Sequence, residues 1–329
     1  MAMYIREDLR AYKWWLYAAG LILLAGGGLL ATYLVTNRPT GQVVVTPASG
    51  PQVTGQLPAP PEPAPQVQEA SSPTVDQSVD TAIAQAMIML DSDPMKLVEV
   101  RDRLNALLSG TVTSQQAKLI KTKLSQLADK WLFGPSVYPS DRLCQTYKVQ
   151  PGDQLRVISQ RCKVPHELLM TINHIPRPEA LRAGQYIKIV NGPFHATVSR
   201  SNFTMDIYLQ DTYVCTYQVG LGRPGYETPT GLWIVKPGGK LIKPQWTDPD
   251  TGRTYRPEDP DYPLGSRWIG LEGIEGQAVG REGFAIHGTN DPNQIGQPGS
   301  RGCIRLHNGD AVMVYNMLMP GQSKVRVMD

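Results

Sequence analysis

The stretch "FAIHGTNDPNQIGQPGSRGCIRLHN", residues 284–308, holds the most reactive side chains of this 329-residue chain. His287 ends an apolar run, and Cys303 lies between two arginines, Arg301 and Arg305. An imidazole near a thiol supplies the base that a nucleophile needs, and nearby positive charge favours the ionised sulfur. The loop between the two residues is rich in Pro and Gly and can fold back on itself. The pattern predicts a cysteine nucleophile with His287 as its base, and a thiolate formed well below the usual thiol pKa of about 8.5.

A metal site is the competing interpretation of the same residues. Cys303 and His307 have the spacing of metal ligands, and His287 is a possible third donor. The flanking arginines would repel a cation, so we expect neither a metal nor another cofactor here.

The sequence around this stretch is rich in β-structure. "HATVSRSNFTMDIYLQDTYVCTYQVGLG", residues 195–222, alternates apolar and polar side chains, and turn residues recur to the C-terminus. This pattern predicts a mostly antiparallel sandwich or barrel, with Cys215 in its core rather than acting as a second nucleophile.

Residues 194–329 resemble the catalytic domain of the L,D-transpeptidases (YkuD type). The resemblance rests on H-G-T at His287, on S-x-G-C-I-R ending at Arg305, and on "VGLG", "TPTG" and the Pro-Gly loop before Trp268. The resemblance implies that Cys303 is the nucleophile and His287 the base and proton donor. It implies further roles for other residues: the Gly288 carbonyl orients His287, the N–H groups of Gly302 and Cys303 form an oxyanion hole, Arg305 sets the site electrostatics, and Ser300, Arg301 and Trp268 bind substrate. Many relatives have His where this chain has Arg301, which argues against an essential base at that position.

The activity implied by the resemblance is a two-step acyl transfer on peptidoglycan. The cysteine attacks a tetrapeptide stem, terminal D-alanine leaves, and an amine of a second stem resolves the thioester into a 3-3 cross-link. Three alternatives remain open: an L,D-carboxypeptidase using water, attachment of proteins to peptidoglycan, and a non-catalytic peptidoglycan-binding protein. The acceptor and the diamino acid of the stem are not specified by the sequence.

A second module precedes the catalytic region. The pattern of residues 143–191 predicts strand, helix, helix and strand, and it resembles the LysM family through Y-x-V-x-x-G-D-x-L from Tyr147 and L-x-x-G-Q-x-I-x-I from Leu181. The resemblance implies binding to N-acetylglucosamine-containing glycan, with Gly152, Asp153 and Asn173 in the binding site. Cys144 and Cys162 are candidates for a disulfide, which the sequence leaves open.

The N-terminal segments predict a membrane-anchored, exported protein. Residues 14–37 contain twenty uncharged residues from Leu16 to Val35, enough for a helix to span about 30 Å of hydrocarbon. Basic residues precede them, so residues 1–13 are expected in the cytoplasm and the rest outside a bacterial cytoplasmic membrane. A cleaved signal peptide is the alternative. Residues 38–74, rich in Pro, Gln and Ala, are expected to form a disordered linker.

Residues 75–133 show helical periodicity without candidate catalytic residues. Apolar stripes run from Leu97 to Leu108 and from Ile120 to Trp131, and they predict a small helical bundle acting as a spacer or interaction element. The whole chain is thus expected to be multidomain. Its net charge of +3 indicates no nucleic-acid partner, so the expected partners are peptidoglycan and the membrane.

Overall fold

The computed structural model describes residues 77–329. The predicted cytoplasmic tail, membrane anchor and linker, residues 1–13, 14–37 and 38–74, lie outside the described residues. Within residues 77–329, no helix has both the length and the apolar character needed to cross a bilayer.

Three helices open the described region: α1 (Gln77–Ser92), α2 (Leu97–Leu108) and α3 (Ser114–Trp131). Asp93 caps the short 3-10 turn that leads into α2 by accepting the Met95 N–H at 2.9 Å. A reciprocal capping box of Thr113 and Gln116 begins α3. The apolar stripes are confirmed as core, because Leu97, Val100, Leu104, Ile120, Leu124, Leu127 and Trp131 are all buried.

The next unit has the predicted order of strand, helix, helix and strand: β1 (Cys144–Lys148), α4 (Leu155–Arg161), α5 (His166–Ile172) and β2 (Tyr186–Val190). The two strands pair antiparallel from Cys144 opposite Val190 to Lys148 opposite Tyr186. Cys144 and Cys162 are both buried and both free, so the structure contains no disulfide between them.

An eight-stranded sheet forms the catalytic region. Its strands are β3 (Phe194–Ser199), β4 (Thr204–Leu209), β5 (Thr212–Gln218), β7 (Gly231–Leu241), β10 (Trp268–Gly276), β11 (Ala285–His287), β13 (Ile304–Arg305) and β14 (Lys324–Met328). They lie in the order β13-β11-β10-β7-β14-β3-β4-β5. Two two-stranded sheets, of β6 (Leu221–Gly222) with β12 (Pro298–Ser300) and of β8 (Trp246–Thr247) with β9 (Thr254–Tyr255), and helix α6 (Asn308–Met317) complete the unit.

The large sheet is curled, and its two ends approach each other. Gly220, just after β5, exchanges two backbone hydrogen bonds with Arg305 of β13, at 2.9 and 2.8 Å. The expected mostly-β domain is therefore present, but as one curled sheet closed by a single bridge. Two neighbouring pairs, β11 with β13 and β14 with β3, are parallel, a feature that alternation in the sequence does not reveal.

The helical segment packs against the open side of this sheet. The Asn105 side chain accepts the Tyr213 N–H at 2.9 Å and donates to the Asp211 carbonyl at 3.1 Å, which pairs it with the backbone of edge strand β5. Lys121 of α3 forms an ion pair with Asp206 of β4 at 2.5 Å. These contacts cover a strand edge that would otherwise expose unpaired backbone groups.

Candidate active site

The parallel pairing of β11 and β13 brings the predicted catalytic residues together. His287 lies opposite Arg305, and Ile286 lies opposite Ile304. Cys303 directly precedes β13, and the alternation of side chains, continued by one residue, brings it to the sheet face of Arg305 and His287. The loop of residues 288–302 thus returns the chain to the neighbouring strand, as the sequence indicated.

His287 is buried and held in one orientation. Its Nδ1 lies 2.6 Å from the carbonyl oxygen of Gly288, and its ring stacks on Trp268 with centroids 5.6 Å apart. This is the contact that the resemblance implies for Gly288, and it favours a proton on Nδ1. Burial lowers the pKa of His287 to about 4, although the Gly288 carbonyl opposes the shift. The imidazole is therefore neutral at pH 7 and able to accept a proton.

Cys303 is half-buried, and its Sγ donates to the Gly283 carbonyl at 3.6 Å. Burial raises the pKa of this thiol, although the Ala285 N–H and the charges of Arg305 and Arg301 act in the opposite direction. Burial therefore disfavours the predicted resting thiolate–imidazolium pair, because desolvation penalises both ions. A neutral thiol beside a neutral imidazole points instead to general-base activation during attack.

Ser300 and Gly302 shape the turn before the nucleophile. The Ser300 hydroxyl is buried, accepts the Gly302 N–H at 3.0 Å and donates to the Cys303 carbonyl at 2.6 Å. The Ser300 hydroxyl thus holds the turn, and the Gly302 N–H donates to it; the contact of Ser300 with substrate and the place of Gly302 in an oxyanion hole stay predictions. Gly302 has φ +106°, and a Cβ there would meet Phe284 at 2.5 Å, so only glycine fits.

Arg301 forms ion pairs within the protein, and its contact with substrate stays a prediction. Its guanidinium pairs with Asp248 and with Asp250, each at 2.9 Å, in the hairpin formed by β8 and β9. These pairs connect the hairpin to the residue two before Cys303. We interpret Arg301 as a structural link, because its charge is already matched by two carboxylates.

Asn308, the first residue of α6, is a site residue that the sequence analysis missed. Its Oδ1 accepts the Ser266 N–H at 2.9 Å, and its Nδ2 donates to the Thr289 carbonyl at 3.0 Å. A Cβ on Gly265 or on Gly288 would lie 2.2 Å from this Oδ1. Asn308 therefore joins the loop that carries Gly288 to the loop that precedes Trp268. In the sequence, Gly265 of "PLGSR" and Gly288 of "HGT" indicate a close approach of the backbone to another group. They do not indicate that this group is Asn308, which lies 20 or more residues further along the chain.

The three predicted glycan-binding residues do not form one group of free polar side chains. The Asn173 carboxamide bonds to Leu169 and to both backbone groups of Lys188, at 2.7 to 2.9 Å. Asp153 accepts the Tyr147 hydroxyl and the Gln150 N–H, each at 2.7 Å. Gly152 has φ +86° and open space beside it. Local structure thus accounts for Asn173 and Asp153, and their contact with glycan stays a prediction.

Comparisons with known proteins agree with this geometry. The family model of the L,D-transpeptidase catalytic domain (YkuD) matches residues 193–327, and that of the LysM domain matches residues 147–190. The protein named L,D-transpeptidase YkuD in Bacillus licheniformis is 28% identical over 188 residues, which cover 55% of this chain and 97% of the relative. The one named YqjB in Bacillus subtilis is 30% identical over 132 residues, covering 40% and 69%.

Among solved structures, an X-ray crystal structure of an L,D-transpeptidase from Mycobacterium tuberculosis H37Rv matches with a TM-score of 0.33 and 20% identity. The match covers 45% of this chain and 63% of that one.

The structure combines a LysM module with a curled-sheet domain whose edge carries His287 beside the strand that follows Cys303. Together with the family match, these features show that this chain belongs to the L,D-transpeptidase family.

Proposed function

We propose that this protein transfers the acyl group of a peptidoglycan tetrapeptide stem to an amine of a second stem and so forms 3-3 cross-links. The observation that carries the proposal is the pairing of the strand that ends at His287 with the strand that begins directly after Cys303, with the His287 ring fixed by Gly288. A nucleophile, a base and a group that orients the base are the parts of a covalent acyl-transfer site.

In the first step, the Cys303 sulfur attacks the carbonyl of the diamino acid while His287 takes the thiol proton. The low pKa of His287 keeps the imidazole neutral and therefore ready to accept this proton. The peptide bond to terminal D-alanine then breaks, and the leaving amine takes the proton from His287. The product is a thioester on Cys303.

In the second step, the amine of another stem attacks the thioester and gives its proton to His287, which returns it to the leaving sulfur. The new amide is the cross-link. Water in place of the amine would make the enzyme a carboxypeptidase. A protein amine would attach that protein to peptidoglycan.

We also propose that the LysM module binds glycan strands and that residues 14–37 anchor the chain in a bacterial cytoplasmic membrane. The N-terminus would face the cytoplasm and the two domains would be exported. Support comes from the LysM family match and from the apolar run that follows basic residues.

The test uses full-length protein in detergent with purified disaccharide-tetrapeptide, and Cys303→Ala as the control. We expect a cross-linked dimer whose mass is that of two donor molecules less one alanine. A thioester on Cys303 should form in the parent protein and not in Cys303→Ala. Release of D-alanine without a dimer would indicate the carboxypeptidase. Absence of both products would overturn the proposal.

A further inference from the structure

A pocket of about 290 Å³ lies where the LysM module meets the catalytic sheet. Helices α4 and α5 of the LysM module contribute Arg156 and Glu167 to its wall, and the catalytic region contributes Lys240 of β7 and Tyr315 of α6. None of these residues is among those assigned above to the active site or to glycan binding. The pocket is therefore a separate feature of the molecule.

Lys240 carries a buried ammonium group whose hydrogen-bonding capacity is unused. Its side chain is only 8% exposed, and its Nζ forms no hydrogen bond with any residue of 77–329. The ammonium lies 4.0 Å from the centroid of the Tyr315 ring and 3.9 Å from the Glu167 carboxylate. An ammonium has three protons to donate, and burying them without acceptors is unfavourable. This group therefore favours an acceptor in the pocket that it borders.

Glu167 is the carboxylate that acts on this ammonium, and other groups share it. Its Oε2 also lies 3.2 Å from Nδ1 of His166. The same carboxylate acts electrostatically on Arg267, whose guanidinium lies 5.4 Å from the Tyr315 ring centroid. The buried Nε of Arg267 has no hydrogen-bond partner in the described part of the chain. One carboxylate thus acts on two cations, Lys240 and Arg267, and accepts a hydrogen bond from neither.

The groups around the pocket carry an excess of positive charge. Burial lowers the pKa of His166, so its imidazole is neutral at pH 7, and lowers that of Lys240 to about 8, so its ammonium stays charged. Glu179 also acts on His166, but it does not border the pocket. Three cations then face one carboxylate, an excess of two positive charges: Arg156, Lys240 and Arg267 against Glu167.

We propose that this pocket binds a phosphate group, either free or carried by a sugar. A phosphate monoester has a charge of about −1.5 to −2 at pH 7, which matches the excess positive charge, and its oxygens supply acceptors for the ammonium protons. Ammonium and guanidinium groups are both common partners of phosphate oxygens. A phosphate held between Arg156 and Lys240 would contact the LysM module and the catalytic sheet together. The inference does not depend on the proposed acyl transfer.

The experiment measures binding to full-length protein in a non-ionic detergent by isothermal titration calorimetry, at pH 7 and constant ionic strength. The probes are inorganic phosphate, N-acetylglucosamine 6-phosphate and N-acetylglucosamine. Lys240→Met removes the charge and keeps an unbranched side chain, and it should weaken binding of both phosphates about 10- to 100-fold, as for the loss of a hydrogen bond to a charged group.

Two further variants separate the pocket from other effects. Arg156→Gln, at an exposed position, should weaken phosphate binding about two- to fivefold and serves if Lys240→Met fails to fold. Lys236→Met removes an exposed lysine from the same strand as Lys240 and should keep the parent affinity. Binding of N-acetylglucosamine should be the same in Lys240→Met and the parent, because this sugar has no charge.

Tighter binding of the sugar phosphate than of inorganic phosphate would support a site for phosphate carried by a sugar, and equal or weaker binding would support a site for free phosphate. No saturable binding of either phosphate by the parent would overturn the inference. It would also be overturned if Lys240→Met and Arg156→Gln both kept the parent affinity, or if Lys236→Met weakened binding as much as Lys240→Met.

Discussion

Lys188 in the LysM module and Arg305 in the catalytic sheet are both cations removed from bulk water, yet their surroundings differ. The Lys188 ammonium donates to the carbonyls of Trp131, Gly134 and Ser136 at 2.6 to 2.8 Å. All three of its protons have acceptors. The Arg305 guanidinium has no acceptor within residues 77–329. Satisfied buried polar groups hold a structure together, and an unsatisfied group at a reactive site is available to a ligand.

The same contrast separates Asn173 from Cys303. The Asn173 carboxamide uses its bonds to close a turn, whereas the Cys303 sulfur has a long contact with the Gly283 carbonyl and lies near the Ala285 N–H. Polar residues in the LysM core, such as Asn173, thus stabilise the fold. Those at the edge of the large sheet, such as Cys303, have few bonds within the protein and are available to react. The predictions below test this division.

The largest effect is expected from Cys303→Ala. Loss of the covalent nucleophile should lower the rate of D-alanine release by at least about a thousandfold. The urea midpoint should stay close to that of the parent, because the hydrogen bonds of a thiol sulfur are weak. Activity within tenfold of the parent would exclude Cys303 as the nucleophile.

Lys188→Met should destabilise the fold rather than impair the chemistry. Three backbone carbonyls, of which that of Trp131 is buried, lose their donor, so the free energy of unfolding should fall by about 3 kcal/mol in urea titrations. Lys148→Met, on the neighbouring strand, removes an exposed lysine and should change the free energy of unfolding by less than about 0.5 kcal/mol. Arg305→Gln should also leave it nearly unchanged. A destabilisation by Arg305→Gln as large as that by Lys188→Met would remove the distinction between the two cations.

Asn308→Ala should lower the rate of the reaction, because it removes a side chain that holds Gly288 in position. Without the link between the two loops, the Gly288 carbonyl holds His287 less firmly, and kcat should fall about 10- to 30-fold with KM changed by less than about threefold. Asn290→Ala is the matched control, since Asn290 makes one bond, to the Asp261 carbonyl at 3.1 Å. If kcat fell only in proportion to the folded fraction, a role for Asn308 in the site would be excluded.

The smallest effect concerns pH. Because the pKa of His287 is lowered to about 4, this base is neutral above that value, and kcat/KM should decline only as the pH falls through about 4. The raised pKa of Cys303 places its alkylation by iodoacetamide above the range of a free thiol, about pH 8.5. Rapid alkylation of Cys303 at pH 6 would instead support the thiolate–imidazolium pair of Cys303 and His287 that the sequence predicts.

Much of this site was predictable from local sequence. The segment from His287 to Arg305 indicates the proposed nucleophile and base, and the alternation around Cys215 predicts the sheet. The stripes ending at Leu108 and Trp131 predict helices whose apolar faces are buried. These features depend on residues close in sequence. Side chains return to the same face about every 3.6 residues in a helix and every 2 in a strand, so the spacing of apolar residues determines which face is buried.

Tertiary structure decided the roles that depend on distant partners. Arg301 and Arg305 look equivalent in sequence, but only Arg301 meets Asp248 and Asp250, some fifty residues earlier. The charge states of Cys303 and His287 follow from their burial in the fold rather than from the residues adjacent to them in sequence. Desolvation and hydrogen-bond satisfaction are set by every group that surrounds an atom, and the fold brings those groups together from distant parts of the chain.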